Sequence, residues 1–382
     1  MNQRRYCPKI KTICQIGNLN PYCAVTRPAP LRSGCLATLR TGRSSFYTHA
    51  VPLYQKPFLT LDQQIQLLID RGMEITDRPK AKAYLGRIGY YRLSAYWYPF
   101  RKSQTRLDAA TGLPVVQVLD DFKDGTDFPT LLALYLFDKQ LRLLMLDALE
   151  RIEVAVRTQI ALCLGAKHPL AHRQPRYLHG NFARRPSRQN AQQTRHQDWL
   201  SRQERKFLDS REDFAIHFKT KYPGEYPPIW IDVELWDFGA LSHLFGGLTV
   251  ADGDAIASAY GLPLAIPAHA HRQLQTWLRC LNDIRNICAH HSRLWNRPLV
   301  NAPSWPRPSE LPQLAHIAGN TQSQSRLYAA LLVTQHLMKT INPTSSWGRR
   351  VATHMMTLPV SPHLRLSSSG FPAGWDQEPI WQ

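Results

Sequence analysis

A histidine-rich stretch near residue 290 carries the side chains best suited to chemistry. "DIRNICAHHSRLWN", residues 283–296, places Arg285, Asn286, His290 and His291 close together in the chain. Histidine exchanges protons near neutral pH, and the fixed fork of arginine binds charge that develops on a phosphate. These residue types suit metal-independent cleavage of an RNA phosphodiester, in which one group takes the 2′-hydroxyl proton and another protonates the leaving oxygen.

The spacing within this stretch leaves two interpretations open. Asn286 and His290 are four residues apart and therefore share one helix face, where the amide could orient the imidazole. Arg285 lies off that face, so one copy of the motif does not make a compact site, whereas two copies meeting across a dimer would. The same residues could instead form a polar edge where a helix frays into a loop, because an arginine five residues before a histidine is a weak signal.

The element that must support this stretch is the most strongly helical segment of the chain. Residues 130–165 are apolar on most sides, which is typical of a helix at the centre of a fold. Asp138–Arg142 and Glu153–Arg157 are pairs four residues apart with the acid first, the favourable order in a helix.

Other periodic segments predict an all-α fold around that helix. Helices are expected at residues 226–248, from residue 272 through the Arg285 motif, and at 325–341, and a polar loop is expected at 103–127. His243, on the apolar face of the first of these, is interpreted as a core histidine.

An aromatic segment, "AKAYLGRIGYYRLSAYWYPFRK" at residues 81–102, also has two interpretations. Its alternating aromatics and arginines could stack on RNA and neutralise its phosphates. Alternatively Tyr91, Leu93, Tyr96 and Trp97 pack inward around a short helix.

The charge of the chain indicates an anionic partner. The formal net charge is +19 and the pI about 9.9, which favours nucleic acid. Residues 167–211 hold eleven Lys and Arg against three acids, and we predict RNA contacts there and after the motif, at Arg184, Arg185, Arg188 and Arg293. A basic protein of membrane surfaces is the rival class, but that interpretation requires a Lys-rich amphipathic helix with apolar anchors. No apolar stretch is long enough to span a bilayer, and we expect a cytoplasmic protein without membrane association.

The first fifty residues differ from the rest. Residues 1–61 hold nine Lys and Arg and no acid. A disordered basic extension is expected over 1–52, with a transit peptide or a start codon placed too far upstream as alternatives. Among the seven cysteines, the four in this segment, Cys7, Cys14, Cys23 and Cys35, lack the CxxC spacing of zinc sites, so free thiols, no metal and no cofactor are expected.

Several long motifs resemble one family. "RNICAHHSRLWN" is similar to the Arg-[Asn/Asp/His]-x-x-x-His motif of HEPN ribonucleases, which are helical-bundle proteins. "KPFLTLDQQIQLLIDRGM", "LGRIGYYRLSAYWYPF", "LYLFDKQLRLLMLDALERIEVAVRT" and "PPIWIDVELWDFGALSHLF" precede it in the order seen in the AbiD/AbiF-like abortive-infection proteins (the Abi_2 family), and "GFPAGWDQEPIW" resembles the usual ending. The resemblance covers roughly residues 54–382.

The resemblance implies a HEPN-like helical bundle with additional N-terminal helices and a basic insert, in which the 130–165 helix packs beside the Arg285 helix. It implies metal-independent RNA cleavage that leaves a cyclic phosphate and a 5′-hydroxyl. Arg285 and His290 are then the catalytic pair with Asn286 between them, His291 is an auxiliary, and Glu153 or Arg157 orients them. A homodimer is implied, and so is an RNA partner that restrains the enzyme.

The predicted organisation is an extension over 1–52, an all-α domain over 53–342 with the insert at 166–225, and a tail over 343–382 that packs on the domain. Two other functions remain open: a catalytically silent RNA-binding module of a defence or toxin–antitoxin system, and a helical protein that only binds other proteins.

Overall fold

The computed structural model describes residues 55–382 apart from residues 110, 265, 267 and 268. The chain divides into two units, residues 1–60 and 61–382. Only 55–60 of the first unit are described, without helix or strand. The predictions for the extension over 1–52 and for its four cysteines therefore lie outside the described residues, and the domain boundaries stay predictions.

The second unit is built from helices, as the sequence predicts. Its helices, in chain order, are α1 (Leu61–Asp70), α2 (Arg78–Ile88), α3 (Tyr90–Ser94), α4 (Phe128–Gly165), α5 (Gly180–Ala183), α6 (Arg195–Asp209), α7 (Asp213–Lys221), α8 (Ile229–Asp232), α9 (Phe238–Phe245), α10 (Val250–Ala259), α11 (His269–Ala289), α12 (Thr321–Gln324), α13 (Leu327–Ile341) and α14 (Trp347–Met355). Two strands, β1 (Arg101–Leu107) and β2 (Pro114–Phe122), form a hairpin. The predicted all-α class is confirmed, with this hairpin as an addition.

Helix α4 lies at the centre of the unit. It begins at the N-cap Asp127, whose carboxylate accepts a 2.7 Å hydrogen bond from the Thr130 N–H. Buried residues recur along its 38 residues, and it contacts α8, α9, α10, α11, α13 and α14. The predicted central helix is confirmed, and so is its packing beside α11.

The polar loop predicted for residues 103–127 is wrong, because most of this segment forms the antiparallel hairpin β1–β2. Asp108 organises the turn by accepting hydrogen bonds from the N–H and hydroxyl of Thr111, and Gly112 adopts a positive φ of 66°. Most hairpin residues are exposed. The strands therefore lack the apolar–polar alternation that would identify them in a sequence.

The segment predicted as one helix at 226–248 is divided in two. A 3₁₀ turn, Val233–Leu235, follows α8, and Trp236 is extended. Asp237 then caps α9 by accepting a 2.8 Å hydrogen bond from the Ala240 N–H. The capping carboxylate starts a new helix where the apolar pattern continues without a break.

The residues after α13 pack against the rest of the unit. The indole N–H of Trp347 donates a 2.6 Å hydrogen bond to the Leu144 carbonyl of α4, and that of Trp381 donates a 3.2 Å bond to the Tyr328 hydroxyl of α13. None of the helices that the structure describes is long and apolar enough to cross a membrane.

Candidate active site

The histidine pair lies at the C-terminal end of α11. The His291 N–H bonds to the Cys288 carbonyl and the Ser292 N–H to the Ile287 carbonyl, the two hydrogen bonds of a Schellman motif. His291 holds the left-handed position of that motif, with φ of 55°. His290 is the last residue before this turn, and its side chain is exposed. The structure thus places the motif neither in mid-helix nor in a frayed end, but at an ordered helix terminus.

A residue far away in sequence holds this terminus. Arg92 Nη1 of α3 donates a 2.8 Å hydrogen bond to the His291 carbonyl, which α11 leaves without a partner of its own. Of the aromatic segment around Arg92, Tyr96 and Trp97 are buried as predicted, whereas the prediction for Tyr91 is wrong, because that side chain is 79% exposed. The buried aromatics fix α3 in the core, and so place Arg92 at the motif.

A buried carboxylate holds the loop that follows the motif. Asp138 of α4 accepts hydrogen bonds from the backbone N–H groups of Leu294 and Trp295, the latter at 2.7 Å, and from the Tyr96 hydroxyl at 2.6 Å. Arg142 forms an ion pair with the same carboxylate. Burial raises the pKa of Asp138, and Arg142, Tyr96 and the two backbone donors oppose that rise. The Asp138–Arg142 pair, expected from the sequence as an ordinary helix contact, is therefore buried and is the anchor of the loop.

Arg285 points to α4. Its Nε lies 4.0 Å from Glu153 Oε2, and Arg157 Nη2 donates to Glu153 Oε1 at 3.2 Å. Arg157 also donates to the Trp236 carbonyl at 3.1 Å, which ties α4 to the start of α9. The Glu153 side chain is 16% exposed, and burial raises its pKa while Arg157 and Arg285 counteract the rise. The structure thus brings Arg285, Glu153 and Arg157 together.

A second carboxylate adds to the negative charge near Arg285. Burial would raise the pKa of Asp237, but its ion pair with Lys206, the Ala240 N–H and the charge of Arg285 together lower it. Arg285 therefore lies in the field of two carboxylates, those of Glu153 and Asp237. These charges hold the guanidinium on the α4 side of its helix.

The catalytic pair predicted from the motif is not joined within one chain. Asn286 and His290 are exposed on one face of α11, and Arg285 is half-buried on another. Among the described residues, no hydrogen bond or ion pair links Arg285 to His290. The His290 imidazole forms no hydrogen bond or ion pair with any of these residues. The ring is thus open to a ligand. Arg285 is connected to it only through the backbone of α11.

The residues predicted to bind RNA fall into two places. Arg184, Arg185 and Arg188 are exposed on the insert between α5 and α6. Arg293 follows the motif and is half-buried; burial lowers its pKa, and the nearby Asp138 partly offsets this. Within the described part of the chain, no group of three or more His, Cys, Asp or Glu side chains is arranged to hold a metal ion.

Three residues that position the motif were not assigned to it from the sequence: Arg92, Tyr96 and Asp138. For Asp138 a signal existed, because an acid among leucines and phenylalanines of a central helix must find partners or lose its charge. For Arg92 the sequence gives none, since its partner is a backbone carbonyl 199 residues away.

Comparison with known proteins agrees with the motif pattern. A family model described as Abi-like protein matches residues 83–296, more than half of the chain. Its span includes α3, α4 and the motif, and it ends directly after Trp295. Searches of curated proteins and of solved structures find no match. On the family match, this chain belongs to the family of Abi-like proteins.

Proposed function

We propose that this protein is a metal-independent endoribonuclease of the HEPN type. Membership of the Abi-like family indicates a role in abortive infection, the defence of bacteria against phage. One observation carries the step from family to activity. The His290 imidazole is exposed at an ordered helix end and makes no hydrogen bond with the described residues, so it is available for proton transfer on a substrate.

The proposed chemistry assigns proton transfer to histidine and stabilisation of the phosphorane charge to arginine. One imidazole takes the proton of the 2′-hydroxyl, which then attacks the phosphorus, and a second protonates the departing 5′-oxygen. The products are a cyclic phosphate and a 5′-hydroxyl. Arg285 balances the charge on the phosphorane, and Asn286, one turn before His290, orients the ring.

The geometry supports a homodimer as the active form. Two proton transfers need two groups, and each chain presents one exposed His290, with Arg285 directed towards Glu153 instead of towards that ring. A second copy that brings its own motif against the first supplies the missing imidazole and guanidinium. His291 serves as an auxiliary through its place in the Schellman turn.

The test is cleavage of RNA by the purified protein in the presence of EDTA, with mass spectrometry of the product ends. His290→Ala should lower the rate by about 10²- to 10⁴-fold, the usual contribution of a general acid or base. His217→Ala, which removes an exposed histidine from α7, is the matched control and should retain the rate. Equal rates for His290→Ala and the wild type would exclude this site.

A mixing experiment tests the dimer. If each site needs the His290 of both copies, wild-type chains that exchange subunits with His290→Ala chains should form inactive mixed dimers, and the activity should fall as the square of the wild-type fraction. A fall in simple proportion to the wild-type fraction, with subunit exchange shown, would contradict the shared site.

A second function has its own support. The exposed Arg184, Arg185 and Arg188 suit binding of RNA without cleavage, either as a target or as a restraining partner. Such a module would bind RNA equally well with His290→Ala and would release no cyclic phosphate from any RNA, including RNA from infected cells.

A further inference from the structure

A polar groove lies between the insert and α11. Two cavities of about 250 and 530 Å³ adjoin there and share Arg195, His243 and Arg279 as lining residues. Arg195 begins α6, His243 belongs to α9 and Arg279 to α11, so the groove runs along the junction of three helices. Gly246 at the end of α9 permits the close approach, because a Cβ there would meet the Gln275 side chain of α11 at 2.1 Å.

The groove carries excess positive charge. Arg188 and Arg202 also line it, and Asp198 is the one carboxylate among the lining residues. Asp198 is already engaged by Arg202 at 3.3 Å and by the Ser187 hydroxyl at 3.0 Å. In the part of the chain that the structure describes, Arg195 and Arg279 have no carboxylate within ion-pair distance. Unneutralised guanidinium groups along a concave wall focus potential on an anion.

His243 faces this groove, which corrects its interpretation as a core histidine. The ring is exposed and meets the edge of Phe182 with centroids 5.4 Å apart. Partial desolvation of the ring within the groove lowers its pKa, and the charges of Arg202 and Arg279 lower it further. A neutral imidazole adds a hydrogen-bond donor to the groove without contributing to the repulsion among the arginines.

One face of α11 connects the groove to the motif. Gln275, Arg279, Asn282, Asn286 and His290 follow one another at intervals of three or four residues, and therefore lie along a single stripe. Eleven residues separate Arg279 from His290, a rise of about 16 Å. That length corresponds to roughly five nucleotide steps at ~3.4 Å per step of a stacked strand.

We infer that this groove binds the phosphodiester backbone of an RNA strand and leads it along α11 to His290. The inference rests on the proposed function and names the substrate path of the same site. Several guanidinium groups along one groove suit a polymer with repeated charge, and the amides of Gln275 and Asn282 offer hydrogen bonds to sugars and bases. An acidic protein partner fits less well, since the centre of a protein interface is enriched in apolar and aromatic residues and the lining of this groove is mostly polar, with Phe182 as its one Phe, Tyr or Trp side chain.

The experiment measures RNA binding instead of cleavage, so that the role of the groove and the nuclease activity are tested independently. His290→Ala protein, which leaves RNA intact, is compared with the same protein carrying Arg195→Gln and Arg279→Gln. Binding of a fluorescein-labelled single-stranded RNA of mixed sequence is followed by anisotropy over a series of salt concentrations. Arg106→Gln with Arg349→Gln, two exposed arginines on β1 and α14, is the matched control.

Removing two arginines that bind phosphates should reduce the slope of log K against log salt by about 1.4, because each phosphate neutralised on a single strand contributes about 0.7. Affinity at low salt should fall by roughly tenfold for each guanidinium group removed. The control pair should leave the slope unchanged. If the wild type cuts RNA but the slope of log K against log salt is unchanged in the groove variant, the RNA-binding role of the groove is wrong and the proposed nuclease activity is supported. If the slope falls in the groove variant but the wild-type protein does not cut RNA, the RNA-binding role of the groove is supported and the proposed nuclease activity is wrong.

Two further outcomes would overturn the inference. One is a protein that binds no RNA at any salt concentration. The other is displacement of the labelled RNA by polyglutamate as readily as by unlabelled RNA, which would indicate a site for an acidic protein.

Discussion

The carboxylate of Asp138 accepts a 2.7 Å hydrogen bond from the backbone N–H of Trp295, and this bond joins the N-terminal third of α4 to the loop that follows the two histidines. The same carboxylate binds Arg142 and the Tyr96 hydroxyl. One buried acid therefore connects the central helix, the aromatic segment and the candidate site.

Asp138→Asn should lower the free energy of unfolding by about 3 kcal/mol, because it leaves Arg142 buried without its counter-charge. Urea denaturation measures the change. Asp147→Asn is the control on the same helix; its ion pairs with Arg151 and Arg350 are more exposed, and its effect should not exceed about 1 kcal/mol. Equal effects for the two variants would contradict the role given to Asp138.

Arg92→Gln should loosen the end of α11, because the His291 carbonyl loses its donor. Amide hydrogen exchange of His291 and Ser292 should become faster, and kcat for RNA cleavage should fall by roughly tenfold or more with KM little changed. Arg92→Lys, which keeps a charged donor, should recover part of both effects. Arg87→Gln, an exposed change on α2, is expected to leave both unaltered; unchanged exchange in Arg92→Gln would exclude Arg92 as a positioning residue.

Two variants of His291 distinguish a backbone role of this residue from a chemical role. Its φ of 55° costs a side chain about 1 kcal/mol that glycine avoids, so His291→Gly should raise the free energy of unfolding, and His291→Val should lower it. If RNA cleavage follows stability across the two variants, the residue acts through the turn alone. An auxiliary chemical role predicts instead that both variants lose activity together.

Stability should fall in mild acid because of buried histidines such as His336. Burial lowers its pKa, and its ring nitrogens meet the Tyr260 carbonyl and the Gln313 amide. Below about pH 6.5 the His336 imidazole binds a proton in the unfolded chain but not in the folded chain. The free energy of unfolding therefore decreases as the pH falls. His336→Gln should reduce this dependence by up to about 1.4 kcal/mol per pH unit, measured by urea denaturation at several pH values. A variant with the wild-type dependence would contradict this.

The helices α4 and α11 could be predicted from local periodicity, and their packing beside each other from the resemblance to the family, whereas the ordered end of α11 at His291 could not. The hairpin β1–β2 could not, since its strands bury no face. The apolar neighbours of Asp138 indicate that its pair with Arg142 is buried, but the role of Asp138 in holding the loop depends on the backbone N–H groups of Leu294 and Trp295, which are distant in sequence. His243 was assigned to the core because its neighbours are apolar; its true surroundings come from the insert and α11, which are distant in sequence.

The bond between Asp138 and Trp295 spans 157 residues, and this has a consequence for synthesis. A ribosome completes α4 long before it makes the donors that the Asp138 carboxylate requires, and closing so long a loop is slow. Until those residues emerge, a nascent chain contains Asp138 and Arg142 but lacks the terminus of α11 and the loop that they hold. The candidate site therefore forms late in translation, so the messenger RNA and the ribosome that produce the chain are not exposed to it until most of the polypeptide has been made.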